Sequence, residues 1–75
     1  MTTPLASYVT TLMGDRTLRE VATAGISRSA LHQIVTSKTT QPTPESLALL
    51  ARYFGNTDVE RSEIYATLMG LAGYL

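Results

Sequence analysis

Apolar residues recur along the chain at helical spacing, in short runs separated by polar punctuation. Leu5, Val9, Leu12 and Met13 fall on one side of a helix with Tyr8 at its margin. Thr3-Pro4 supplies a capping hydroxyl and a proline at the first helical position, and Gly14 a stop, which predicts a first helix to about Met13. Leu18, Val21 and Ala22 stand at i, i+3 and i+4, behind Thr17, which caps and pairs with Glu20 as a capping box. Ala30, Leu31 and Ile34 form another apolar stripe behind a Ser27 cap, and Ala24-Gly25-Ile26 breaks the two runs, Gly25 offering the backbone freedom of a tight corner. Residues 37–44, Ser-Lys-Thr-Thr-Gln-Pro-Thr-Pro, have no apolar side chain except proline and read as a loop. Thr43-Pro44 repeats the cap-then-proline start, Leu47, Leu50, Ala51 and Phe54 give a fourth helix its core face, and Gly55 ends it. Thr57 with Glu60 is a second capping-box pair opening a fifth helix to about Ala72. Its stripe is Ile64, Leu68, Leu71 and Leu75, at i, i+4, i+7 and i+11, widened by Tyr65, Met69, Ala72 and Tyr74 beyond what one side of a small bundle consumes.

Composition narrows what such a set of helices can be. Seventy-five residues, 44 % of them hydrophobic, make one domain over residues 1–75 with a single modest core, which association would extend. The absence of cysteine excludes disulfides and thiolate chemistry, and the one histidine, His32, gathers no set of carboxylates, so neither a metal nor another cofactor is expected. No apolar run approaches the ~20 residues of a membrane span, and the first residues lack the basic-then-apolar order of a secretory signal, so a soluble cytoplasmic protein is expected. Net charge is zero, which by itself argues against a nucleic-acid partner. The charge is unevenly spread. Residues 1–44 carry Arg16, Arg19, Arg28 and Lys38 against Asp15 and Glu20, a surplus of two cations, and the remainder carries Arg52 and Arg61 against Glu45, Asp58, Glu60 and Glu63, a surplus of two anions.

The cationic half holds the stretch with the most information, Thr17 to Thr36, two short helices with a sharp corner between them. With Leu31 and Ile34 turned inward, the second of these presents Arg28, Ser29, His32, Gln33 and Thr36, hydrogen-bonding side chains suited to a base edge or a phosphate. That is a helix-turn-helix signature. Plainer readings stand beside it: His32 merely solvated, and Arg16 and Arg19 solvated or paired with Asp15 and Glu20. No acid or nucleophile accompanies His32 in sequence, so no catalytic residue is assigned and no enzyme is expected.

Leu-Arg-Glu-Val-Ala at 18–22, Gly-Ile-Ser-Arg-Ser-Ala-Leu-His-Gln-Ile-Val at 25–35 and Lys-Thr-Thr-Gln-Pro-Thr-Pro-Glu-Ser-Leu-Ala-Leu-Leu-Ala-Arg-Tyr-Phe-Gly at 38–55 resemble the phage-repressor and Cro (Xre) family of bacterial DNA-binding domains, over roughly Leu12 to Gly55. The resemblance implies an all-α, compact, lambda-repressor-like bundle of four to five short helices, the third entering the major groove and the second lying across the backbone. Carried over by position, Ser27, Arg28, Ser29, His32 and Gln33 face the bases, and Arg16, Thr17, Thr36, Lys38, Thr39 and Thr40 lie near phosphates. The function implied is that of a bacterial or phage-encoded transcriptional regulator of repressor type, acting on double-stranded DNA by occupying an operator. The broad stripe on the last helix, residues 57–75, points to a homodimer through Ile64, Leu68, Leu71 and Leu75.

Two positions depart from the family pattern. The small residue of the second helix, Ala22, lies three steps from the turn glycine Gly25 where the family has four, so either the turn is a residue tighter or the second helix is rotated. Ser37 stands where the family commonly has a glycine after the recognition helix. The competing reading is a protein-interaction module on the same scaffold, of antitoxin or anti-repressor type, with weak DNA binding. Zero net charge and the shortened turn favour it, and the polar face of the third helix opposes it.

Overall fold

A helix leaves its first N–H groups without intrahelical acceptors, and in this chain a hydroxyl meets that need at every helix start. Thr3 Oγ1 accepts from the Ala6 N–H at 3.2 Å, Thr17 Oγ1 from Glu20 at 3.2 Å, Ser27 Oγ from Ala30 at 3.0 Å, Thr43 Oγ1 from Ser46 at 3.3 Å and Thr57 Oγ1 from Glu60 at 3.1 Å. The helices so begun are α1 (Pro4–Met13), α2 (Leu18–Val21), α3 (Arg28–Val35), α4 (Pro44–Phe54) and α5 (Asp58–Leu71). The structure, a computed structural model, describes residues 2–39 and 41–75, and these form an all-α bundle with no strand. Among the described residues no helix is long and apolar enough to cross a membrane. At Thr17 and Thr57 only the forward half of the capping box forms among the described residues, the glutamate returning no bond to the cap N–H.

The second helix differs from its expected form. It keeps α geometry for one turn, tightens into a 3-10 helix over Ala22–Ala24, and stops where Gly25, at φ 105°, donates its N–H to Ala22 O at 3.1 Å. A 3-10 turn advances the chain farther per residue than an α turn, so the short spacing from Ala22 to Gly25 is absorbed by tightening. At the other end of α3, Ser37 takes the left-handed conformation at φ 63°. Its N–H donates to Ile34 O at 3.2 Å and the Lys38 N–H to Gln33 O at 2.9 Å, the paired bonds of a Schellman ending with serine where glycine is usual. Gly73, at φ 87°, repeats the device after α5, with its own N–H on Gly70 O and that of Tyr74 on Met69 O.

α1 packs on α3 and α5, and α4 on α5 and on the 3-10 turn. Leu5, Val9, Met13, Val21, Ile26, Leu31, Ile34, Leu47, Leu50, Ala51, Leu68 and Ala72 share one core, and no polar or charged residue is buried with them. Ala6 is fully buried and Leu12 only half-buried, so the inner face of α1 is rotated slightly from the expected one. On α5 the correction is larger. Its inward line is Ile64, Leu68 and Ala72, flanked by half-buried Tyr65 and Met69, while Leu71 and Leu75 stay in solvent. The helix ends at Leu71 and the chain turns at Gly73, so Leu75 never joins the helical face.

Gly55 shows why a glycine is needed without a left-handed angle. Its backbone is extended, at φ −81°, but a Cβ there would lie 2.8 Å from the backbone nitrogen of Arg61. The missing side chain lets the first turn of α5 come back over the end of α4, where Arg61 Nε donates to Gly55 O at 3.2 Å. Gly70 lies within α5 and has nothing within 4 Å of a built Cβ. Gly55→Ala is therefore expected to destabilise the fold by about 1–3 kcal/mol and Gly70→Ala to stabilise it by about 0.5–1 kcal/mol, read by chemical denaturation of the two variants.

Candidate nucleic-acid interface

The Ser27 cap fixes the phase of α3. With Leu31 and Ile34 buried, Arg28, Ser29, His32 and Gln33 are left exposed on the outer surface. Beside them the start of α2 adds a second wall, and the two enclose an open concavity of about 900 Å³ lined by Thr17, Leu18, Arg19, Arg28, Ser29 and His32. Gln33 stands apart from this set. It lines a smaller concavity of about 220 Å³ with Thr39, Gln41, Pro42 and others, where the loop after α3 folds back, and its carbonyl accepts from the N–H groups of both Lys38 and Thr39.

Hydroxyls differ in what they still have to give. A phosphate oxygen accepts hydrogen bonds, so a hydroxyl can serve it only by donating its single hydrogen. Thr17 Oγ1 and Ser27 Oγ act as acceptors in their caps, which leaves the hydrogen of each unspent. Thr36 instead donates its hydroxyl to His32 O at 2.7 Å, within its own helix, and would have to break that bond to reach a phosphate. Lys38 is exposed and Thr39 half-buried, while Thr40 lies outside the described residues.

The two early arginines have different surroundings. Arg16 lies over the rings of Tyr53 and Phe54, its guanidinium carbon 5.7 Å and 5.8 Å from their centroids, and its Nη1 donates to Leu12 O at 3.4 Å. Tyr53 and Phe54 meet edge to face at 5.1 Å, so Arg16 covers an aromatic corner at the end of α4 while remaining exposed. Arg19, two residues after the Thr17 cap and so in the same first turn of α2, shares the groove with Arg28 and His32. Among the described residues the single ion pair joins Arg61 Nη1 to Asp58 at 3.6 Å, so Arg19, Arg28 and Lys38 are not neutralised by protein carboxylates.

The four residues expected to pair two copies do not form one surface. Leu68 has no exposed area and belongs to the core of its own chain, so it has nothing to offer a partner; Ile64 is half-buried, and only Leu71 and Leu75 are exposed. Among the described residues no three histidine or acidic side chains gather as metal ligands would.

Compared with known proteins, the chain matches no family model, no curated protein and no solved structure. The geometry alone separates a structural arginine from a free one. Arg16→Ala is expected to lower stability by about 0.5–1 kcal/mol through the lost stacking, whereas Arg19→Ala stays within about 0.5 kcal/mol of the parent, both read from urea midpoints.

Proposed function

We propose that this chain is a sequence-specific, double-stranded-DNA-binding transcriptional regulator of repressor type, which lays α3 in the major groove and blocks polymerase by occupying an operator. The observation that carries this reading is the convergence of Arg28, Ser29 and His32 of α3 with Arg19 and Thr17 of α2 on one open groove, its cations free of protein carboxylates. An α-helix with its side chains is about 10–12 Å across, which a major groove about 12 Å wide admits. Arg28 is suited to the paired acceptors of guanine, with Ser29 and His32 beside it in the groove, while Gln33, suited to adenine, lies on the loop side of the same helix. Thr17, Ser27 and Lys38 supply donors for phosphates, and Arg19 supplies charge. The resemblance to phage repressors supports the same assignment of helices, and a regulator of this kind works in the cytoplasm.

In this reading two copies act together, with Leu71 and Leu75 as the apolar contribution of each, and present their α3 helices to half-sites about 34 Å apart. Zero net charge favours a second reading, in which the same face binds another protein. Selection of duplexes from a random pool distinguishes the two: enrichment of a common sequence supports the regulator, and no enrichment at low salt transfers the face to a protein partner.

Arg28→Ala is expected to weaken binding to a selected duplex by about 1–3 kcal/mol and to leave the melting temperature nearly unchanged, because Arg28 is exposed. Leu31→Ala is the opposite case. Leu31 is fully buried, and its truncation should cost about 2–5 kcal/mol of stability. Equal affinity of parent and Arg28→Ala would remove α3 from the groove.

Few cations also set the salt dependence. Arg19, Arg28 and Lys38 give a log–log slope of affinity against salt of about −3 for one chain and about −5 for two acting together. Binding measured across a salt series checks this, and a much steeper slope would require further cationic contacts.

A further inference from the structure

The loop that carries Lys38 is anchored at both sides by residues from the two ends of the chain. On its α3 side Ser37 Oγ accepts from the Thr3 N–H at 3.0 Å and lies 3.3 Å from Thr3 Oγ1. On its α4 side the Tyr74 hydroxyl donates to Pro42 O at 2.7 Å. Neither bond is local, since they span 34 and 32 residues of sequence. The Tyr74 ring is itself aimed by the Schellman ending of α5, and that corner brings Gly73 to Gln41, whose Nε2 would lie 3.7 Å from a Cβ on the glycine.

We infer that Tyr74 is a positioning residue for the α3–α4 loop, holding Lys38 and its neighbours where they meet the same phosphate backbone that α3 approaches. The DNA consequence rests on the reading given under Proposed function; the anchoring of the loop does not. Two considerations favour a positioning role over simple packing. The partner of Tyr74 is the carbonyl of Pro42, a loop residue buried against the bundle, while Tyr74 as a residue is 36 % exposed, so its hydroxyl bond is a specific tie between tail and loop. Within the loop, Lys38 and Thr39 hang on Gln33 O at the α3 end, and Pro42 is held by Tyr74 at the α4 end, so the loop is tied to the bundle on both sides. A lysine carried on such a loop meets phosphate with part of its ordering cost already met by the fold.

The test is Tyr74→Phe, which removes the hydroxyl and keeps the ring. Amide hydrogen exchange is followed without DNA, and affinity for a mixed-sequence B-form duplex is measured at low salt in Tyr74→Phe, Lys38→Ala and the double variant. Loss of one hydrogen bond should speed exchange at Lys38 and Thr39 on the order of two- to tenfold while the core amides of α4 hold their protection. Duplex affinity should fall by a similar factor in Tyr74→Phe, and that fall should vanish in the Lys38→Ala background, because the hydroxyl acts through the loop that holds the lysine. Unchanged exchange at Lys38 and Thr39 would overturn the anchoring. Faster exchange with an affinity loss that persists undiminished in the Lys38→Ala background, or with no affinity loss at all, would overturn the positioning of Lys38. A parent protein that fails to bind the duplex would sink the DNA reading alone, and the exchange data would still decide whether Tyr74 anchors the loop.

Discussion

Short helices in water are limited by the cost of their first turn, and α2, with four residues in α form, and α3, with eight, are too short to exist alone. What the fold depends on is therefore the neutral hydrogen bond from a backbone N–H to a serine or threonine hydroxyl three residues earlier, repeated at all five helix starts. Each cap lowers the cost of a start and also sets its phase. Because Ser27 fixes where α3 begins, Leu31 and Ile34 turn to the core and Arg28, Ser29 and His32 turn out beside the capped first turn of α2. A helix started one residue later would carry a different set of side chains outward.

These starts were legible in the sequence because a cap is a local event, involving a hydroxyl, a proline or acid behind it, and the next few amides. The same locality explains Gly14 and Gly25 as corners. What sequence spacing misjudged was decided in part by where α5 closes and where a hydroxyl donates its hydrogen, and in part by contacts between distant segments. Leu71 and Leu75 fit the periodic stripe of α5, but the helix closes at Leu71 and Gly73 turns the chain, so the buried line passes through Ala72. Arg16 and Arg19 have similar local surroundings, and only the arrival of Tyr53 and Phe54 from α4 assigns one to an aromatic corner and leaves the other in the groove. Thr36 has the right residue type for a phosphate contact, yet its hydrogen is committed to the carbonyl of His32.

Ser37 joins the local and distant kinds of constraint. A left-handed backbone costs a residue with a side chain about 1 kcal/mol, which glycine would avoid. Glycine could not accept the Thr3 N–H, and that bond ties the end of α3 to the entry of α1. Serine at this corner thus exchanges some backbone ease for a tertiary anchor, and the loop leaving α3 departs from a fixed point.

No polar or charged residue among those described is buried. The caps are bonds between neutral groups, the core is apolar, and the ion pair at Arg61 lies at the surface with Asp58 fully exposed. Ionic strength has little in this fold to act on, since screening weakens exposed charges and leaves neutral hydrogen bonds and apolar burial nearly untouched. The groove is the reverse case, with unneutralised arginines at its walls. The fold thus rests on forces that a change of ionic strength leaves nearly untouched, while the charges at the groove stay open to it.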